Sequence, residues 1–221
     1  MNMKTTFLPS IAAGAALALS AGSINAANVV TNGDFSVDAT LFSTFPGYRG
    51  GSNPSDIPSW TFTGSGGNSG VNGTLAGMHN PFGPTDKSAA DTWGFLQGAG
   101  SAQMQQVIAL LPNTTYDISF LAANRSNNPN ASGQVTISDD STTYYDSGSN
   151  SYDNAAFQTV TTQFSTGGSF DGDVVITLSN TSPAGDNTVN YSNIVVDAVP
   201  EPSTTALLSL GGLALILRRR K

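Results

Sequence analysis

The chain of 221 residues contains no cysteine and one histidine, His79. Disulfides, thiolate metal sites and cysteine nucleophiles are therefore excluded. Zinc or iron centres built on several imidazoles are excluded too. Charge is scarce: Asp, Glu, Lys and Arg make up 10% of the residues, against roughly 25% in an average soluble protein. Glutamate occurs once, at Glu201, and between residues 27 and 199 three cations, Arg49, Lys87 and Arg125, face 14 Asp, a formal balance of −11. Nucleic acid is thereby excluded as the main partner, because phosphate binding needs clusters of Lys and Arg. Glu and Lys are good helix formers. Their near-absence, beside 24 Gly and abundant Thr, Ser and Asn, points to an all-β domain with many turns.

Periodicity supports this reading. Tyr116, Ile118, Phe120 and Ala122 fall on one face of a strand, with Asp117 and Ser119 on the other. Val174, Ile176 and Leu178 alternate in the same way, and Val135 with Ile137 forms a short strand ended by Asp139-Asp140. Further strands are expected over 27–31, 59–63, 92–96, 103–110, 157–164 and 188–196, separated by Pro112-Asn113, Gly167-Gly168 and Pro183-Ala184-Gly185. About nine strands suffice for two packed antiparallel sheets. The Gly-rich polar stretches 47–58, 64–73, 124–133 and 147–154 read as loops.

The two ends differ from the body. Residues 1–26 read as a secretory signal helix, with Lys4 in the basic region, an apolar core over Ile11–Leu19 and a cleavage site at Ile24-Asn25-Ala26. The alternative is an N-terminal membrane helix, for which the apolar run is short. At the other end Pro200-Glu201-Pro202 precedes a short hydrophobic helix over Ala206–Leu217 and a basic end, Arg218-Arg219-Arg220-Lys221. Twelve residues at about 1.5 Å each span roughly 18 Å, less than a ~30 Å hydrocarbon core. The basic end favours the cytoplasmic side and leaves the body outside. This order resembles the PEP-CTERM sorting signal of Gram-negative bacteria. The resemblance implies that an exosortase-type enzyme reads Pro200, Glu201 and Pro202 and removes the helix after transient anchoring in the inner membrane. It further implies a final place at the cell surface or in extracellular matrix. An ordinary tail anchor is the alternative. Three segments follow: a signal over 1–26, a β-sandwich domain over 27–199 and a sorting signal over 200–221.

The body resembles the galactose-binding-domain-like jelly rolls, which include many carbohydrate-binding modules. The resemblance is carried by Asn32-Gly33-Asp34-Phe35, Trp60-Thr61-Phe62, Gly94-Phe95-Leu96-Gln97-Gly98, residues 112–125 and Tyr191-Ser192-Asn193-Ile194-Val195-Val196. It implies an antiparallel jelly-roll-like β-sandwich and, where the two ends of the domain meet, a structural calcium ion. Asp34, Asn193 and Asp197 are its candidate ligands. Ser36 and Ser192-Asn193 stand where related modules commonly carry acidic residues, and an Asp beside Gly33 is also what a simple turn favours.

A sugar ring stacks on flat side chains, which makes Trp60, Trp93, Tyr48, Tyr144 and Tyr145 platform candidates. Trp60, alternating with Phe62, reads as core, and Trp93 as core or ligand. Tyr48, Arg49 and Asp56 share one flexible loop and form the expected glycan site, with Arg125 either joining it or pairing with Asp117 or another Asp. Asp139-Asp140 and Asp171-Gly172-Asp173 lack EF-hand spacing and read as solvated turns. No Gly-x-Ser-x-Gly elbow, phosphate-binding loop or dinucleotide fingerprint occurs. The sequence reading is therefore a non-catalytic, glycan-binding surface or exopolysaccharide-associated protein. A ligand-free matrix protein and a polysaccharide-active hydrolase or lyase are its alternatives.

Overall fold

The computed structural model describes residues 27–63, 69–98, 102–128, 130–168, 170, 172–183 and 185–200. The expected signal helix and C-terminal hydrophobic helix lie outside these residues. No helix among the described residues is long and apolar enough to cross a membrane. The described residues hold eleven strands rather than nine: β1 (Thr61–Thr63), β2 (Ser69–Gly73), β3 (Thr92–Gln97), β4 (Gln103–Ala109), β5 (Thr115–Asn124), β6 (Ser132–Ser138), β7 (Thr143–Asp146), β8 (Asn150–Ser151), β9 (Gln158–Ser165), β10 (Asp173–Asn180) and β11 (Thr188–Ala198), with one 3-10 turn at Ala39–Leu41.

All strand pairs are antiparallel, in two sheets. One runs β1-β4-β10-β6-β7, with β8 added to β6, and the other β2-β3-β11-β5-β9. Together they form a sandwich around one main core. β5 contributes Tyr116, Ile118, Phe120 and Ala122 from the face its alternation marks. β10 adds Val174, Ile176 and Leu178, and β6 adds Val135 and Ile137. Trp60 is buried against Phe35, with ring centroids 5.2 Å apart, as its place before Phe62 predicts. Tyr191 sits at the centre, its hydroxyl donating to the Ser179 carbonyl at 2.9 Å. Burial pushes that hydroxyl well above the ordinary tyrosine pKa.

Two differences from the sequence reading have local causes. The segment expected as a strand over 27–31 is irregular, although it is paired. Gln106, an inward residue of β4, uses its amide to accept from Thr31 N and to donate to Thr31 O, both at 2.8 Å. A side-chain amide thus supplies what a neighbouring strand would have supplied. Conversely, Ser69–Gly73, expected as loop, is a strand buried along its whole length. Its glycine serves close approach: a Cβ at Gly70 would lie 2.0 Å from the Gly47 carbonyl oxygen.

Candidate glycan groove on the open sheet

The two outward sheet faces are unlike. Over the five-stranded sheet, loop residues Phe82, Ala90 and Phe157 pack on Trp93 and Phe95 of β3 and Ala123 of β5, forming a second apolar cluster. Asn190 of β11 ties this cover down, its amide donating to the Phe82 carbonyl at 2.8 Å.

Most of the expected ligand residues belong to this covered side or to the edge of β1. Trp93 is fully buried, edge-on to Phe157 and directly beneath Gly83, so its indole offers no platform at the surface. Tyr48 is half-buried, 5.3 Å from the Phe82 ring and 5.6 Å from that of Phe95. Its hydroxyl donates to Gln97, Gln97 donates to Asp186, and Asp186 accepts from Arg125 at 2.9 Å. Burial raises the Tyr48 pKa, and the Asp186 charge adds to the rise. The open choice for Arg125 is thus settled in favour of Asp186, and Asp117 instead accepts from Gln163 at 2.8 Å. Arg49 and Asp56 turn to β1, where Arg49 Nη1 donates to the Phe62 carbonyl at 2.8 Å and Asp56 Oδ1 accepts from the Phe62 amide at 2.9 Å. One loop therefore sends its three candidates to two different places. His79 bonds the Ser43 carbonyl at 3.0 Å and meets Phe45 edge-on.

Among the described residues, no such apolar cluster lies over the centre of the six-stranded sheet. Successive register partners Thr61, Gln105, Thr177, Thr136 and Asp146 form a row across β1-β4-β10-β6-β7. A second row carries Val107, Val175, Ser138 and Thr143 across β4-β10-β6-β7. Gln105 Nε2 donates to Thr177 Oγ1 at 3.2 Å, and Val107 is 64% exposed. Two depressions, about 1020 and 650 Å³, share Gln105 and Val175 and so form one groove across the strands. Four intervals between five strands, at about 4.8 Å each, give it a length near 19 Å.

Each end of the groove has its own chemistry. At one end Asp56 and Ile57 stand beside Trp60. At the other, Tyr144 donates its hydroxyl to Asp139 Oδ2 at 2.6 Å and meets Phe170 edge-on at 5.2 Å. That hydroxyl, with the Ser141 amide and hydroxyl, lowers the Asp139 pKa to about 2. The sequence marked Tyr144 as a platform candidate and Asp139-Asp140 as a turn, and the fold places both on the groove wall. Gln105, Thr177 and Val107 escaped the sequence reading. Their only signal is that the outward positions of β4 and β10 carry amides, hydroxyls and valine where charged residues would be ordinary.

The expected calcium ligands do not converge. The two ends of the domain do meet, Ile194 N donating to the Gly33 carbonyl at 3.0 Å. Yet the Asp34 carboxylate accepts from Ser36 N and Oγ, and its carbonyl accepts from Thr92 Oγ1 at 2.7 Å. Asn193 is exposed at a β-bulge with φ of 49°, and Asp197 lies further along β11, opposite Asp117. Among the described residues no three His, Cys, Asp or Glu side chains are grouped to hold a metal. Calcium takes about six to eight oxygens, and those near Asp34 already receive protein donors, so the residues fit the ion poorly. The melting temperature should accordingly be the same in chelator and in millimolar calcium. A saturable rise with calcium, the signature of an ion bound only by the folded state, would overturn this.

Residues 198–221 match the PEP-CTERM protein-sorting motif. The comparison with curated proteins finds no match. Among solved structures, the chain is similar to a Stig cyclase from Fischerella sp. TAU, with a TM-score of 0.57, 16% identity and coverage of 79% of this chain and 98% of that one. It is similar to an α-L-arabinofuranosidase, MgGH51, with a TM-score of 0.50 and 10% identity, over 81% of this chain but 27% of that one. It is also similar to the module TmCBM61, solved with β-1,4-galactotriose, with a TM-score of 0.48, 11% identity and coverage of 79% and 99%. The first two likenesses speak for the sandwich fold alone. The chain is an antiparallel β-sandwich carrying a C-terminal PEP-CTERM protein-sorting motif, which marks it as an exported protein of the cell envelope.

Proposed function

We propose that this exported protein binds glycan, without catalysis, along the groove of the six-stranded sheet. One observation carries the reading: among the described residues, aromatic loops cover the central strands of one sheet, while a row of hydroxyl and amide side chains, from exposed Thr61 through half-buried Gln105 to half-buried Thr136, crosses the other beside a groove. Sugar hydroxyls both donate and accept, as do Gln and Thr side chains. Exposed Val107 and half-buried Val175 suit the apolar CH faces of a sugar ring. Gln105 stands where the two halves of the groove meet. Gln105→Ala should weaken retention on a bound polysaccharide about two- to tenfold, the size of one or two neutral hydrogen bonds, with little change in melting temperature. Affinity electrophoresis of the two proteins decides it, and unchanged retention would remove the groove as the site.

Processing of the tail by an exosortase-type enzyme completes the proposal, with transient anchoring through the C-terminal helix and final association with surface glycan of a Gram-negative cell. Glu201→Ala should leave export intact and block removal of the helix. Mass spectrometry of the surface-bound wild-type protein tests this, and recovery of Lys221 there would refute processing.

A further inference from the structure

The charge around the groove is of one sign. Among the described residues, none that lines either depression is Lys, Arg or His. Asp139, Asp140 and Asp173 stand at one end and Asp56 at the other, while Asp146 closes the central row. None of the three cations of the body lines the groove, although Arg49 stands at the β1 edge, where Asp56 also bonds Phe62. Arg125 is paired with Asp186, Arg49 is held at the Phe62 carbonyl, and Lys87 lies beside Gly83 over the covered sheet. Asp140 and Asp173 are exposed. Hydrogen bonds keep Asp139 ionised far below neutrality. A cleft lined by one sign of charge focuses its field on whatever enters.

We infer that the groove selects uncharged polysaccharides and rejects chains bearing carboxylate or sulfate groups, an inference that rests on the groove being the glycan site. Its hydrogen-bonding groups are neutral amides and hydroxyls, which suit a chain of hydroxyls. A uronate or sulfate in the same place would meet Asp140 or Asp173, with no cation among the described lining residues to offset it, and like charges set face to face weaken the wrong partner strongly. Amides and hydroxyls determine binding, and the carboxylates at the ends determine what is turned away.

The experiment uses the full chain in mild detergent and a matched pair of ligands. A neutral polysaccharide retained by the protein, drawn from β-glucan and β-1,4-galactan, is compared with the same polymer after oxidation of its primary hydroxyls, or carboxymethylation, to carboxylates. At about 0.01 M salt, where charges are largely screened only beyond ~30 Å, the charged form should bind at least about tenfold more weakly. The gap should narrow at high salt and narrow again in the double variant Asp140→Lys, Asp173→Lys. Equal or tighter binding of the charged polymer overturns the inference. So does a gap that neither salt nor the lysines change, since it would then be steric. Retention of no polymer of either kind refutes the glycan reading itself.

Discussion

Replacing Trp60 by alanine should cost about 3–5 kcal/mol of folding stability, the usual loss when a fully buried large aromatic is truncated. Trp60 is 1% exposed. Its ring packs on Phe35, and its Nε1 donates to the Asn32 carbonyl at 2.9 Å. The substitution thus removes apolar contact from the core and leaves a backbone acceptor without its donor. One kcal/mol shifts the melting temperature of a domain this size by roughly 2–4 °C, so a fall of about 10 °C is expected. Denaturant unfolding would measure it, and Trp60→Phe should recover the packing while still lacking the bond to Asn32. A loss below about 1 kcal/mol for Trp60→Ala would mean that the edge of the sandwich near β1 contributes little to the cooperative fold.

Gly33→Ala should be nearly as damaging, for a different reason. A Cβ there would lie 2.1 Å from the Ile194 carbonyl oxygen and 3.0 Å from its carbon. The obstacle is backbone, at the bulge of β11, and cannot rotate away. Relief requires breaking the hydrogen bond from Ile194 N to the Gly33 carbonyl, which joins the start of the domain to its last strand. A destabilisation of about 2–3 kcal/mol is expected, in the range of overpacking a tight site. Gly167→Ala is the control, because nothing lies within 4 Å of the Cβ it would add. Equal melting temperatures for the two alanine variants would show that the close approach at residue 33 carries no weight.

Local pattern and tertiary outcome agree wherever the inner face of a strand is concerned. The alternation of Tyr116, Ile118, Phe120 and Ala122, and that of Val174, Ile176 and Leu178, could be satisfied only by strands with one face in a core, and these residues are buried. The sorting tail was equally legible, because Pro200-Glu201-Pro202, the apolar run and the basic end form a contiguous motif that needs no fold to be recognised. The scarcity of Glu and Lys likewise settled the all-β class without reference to any contact.

Tertiary structure decided which surface is free. Outward positions of both sheets carry Thr, Ser, Gln and Asn, so composition cannot say which face the loops will cover. That depends on Phe82 and Phe157 reaching Trp93 and Phe95 across the chain. The same long-range packing draws Tyr48 into a network with Gln97, Arg125 and Asp186, while its sequence neighbours Arg49 and Asp56 hold β1. It also makes a strand of glycine-rich 69–73, where the absent Cβ admits the Gly47 carbonyl. Apolar periodicity specifies what must be buried, a local property of each strand. Which polar face stays open is a property of how the loops between strands pack, and only the folded chain contains it.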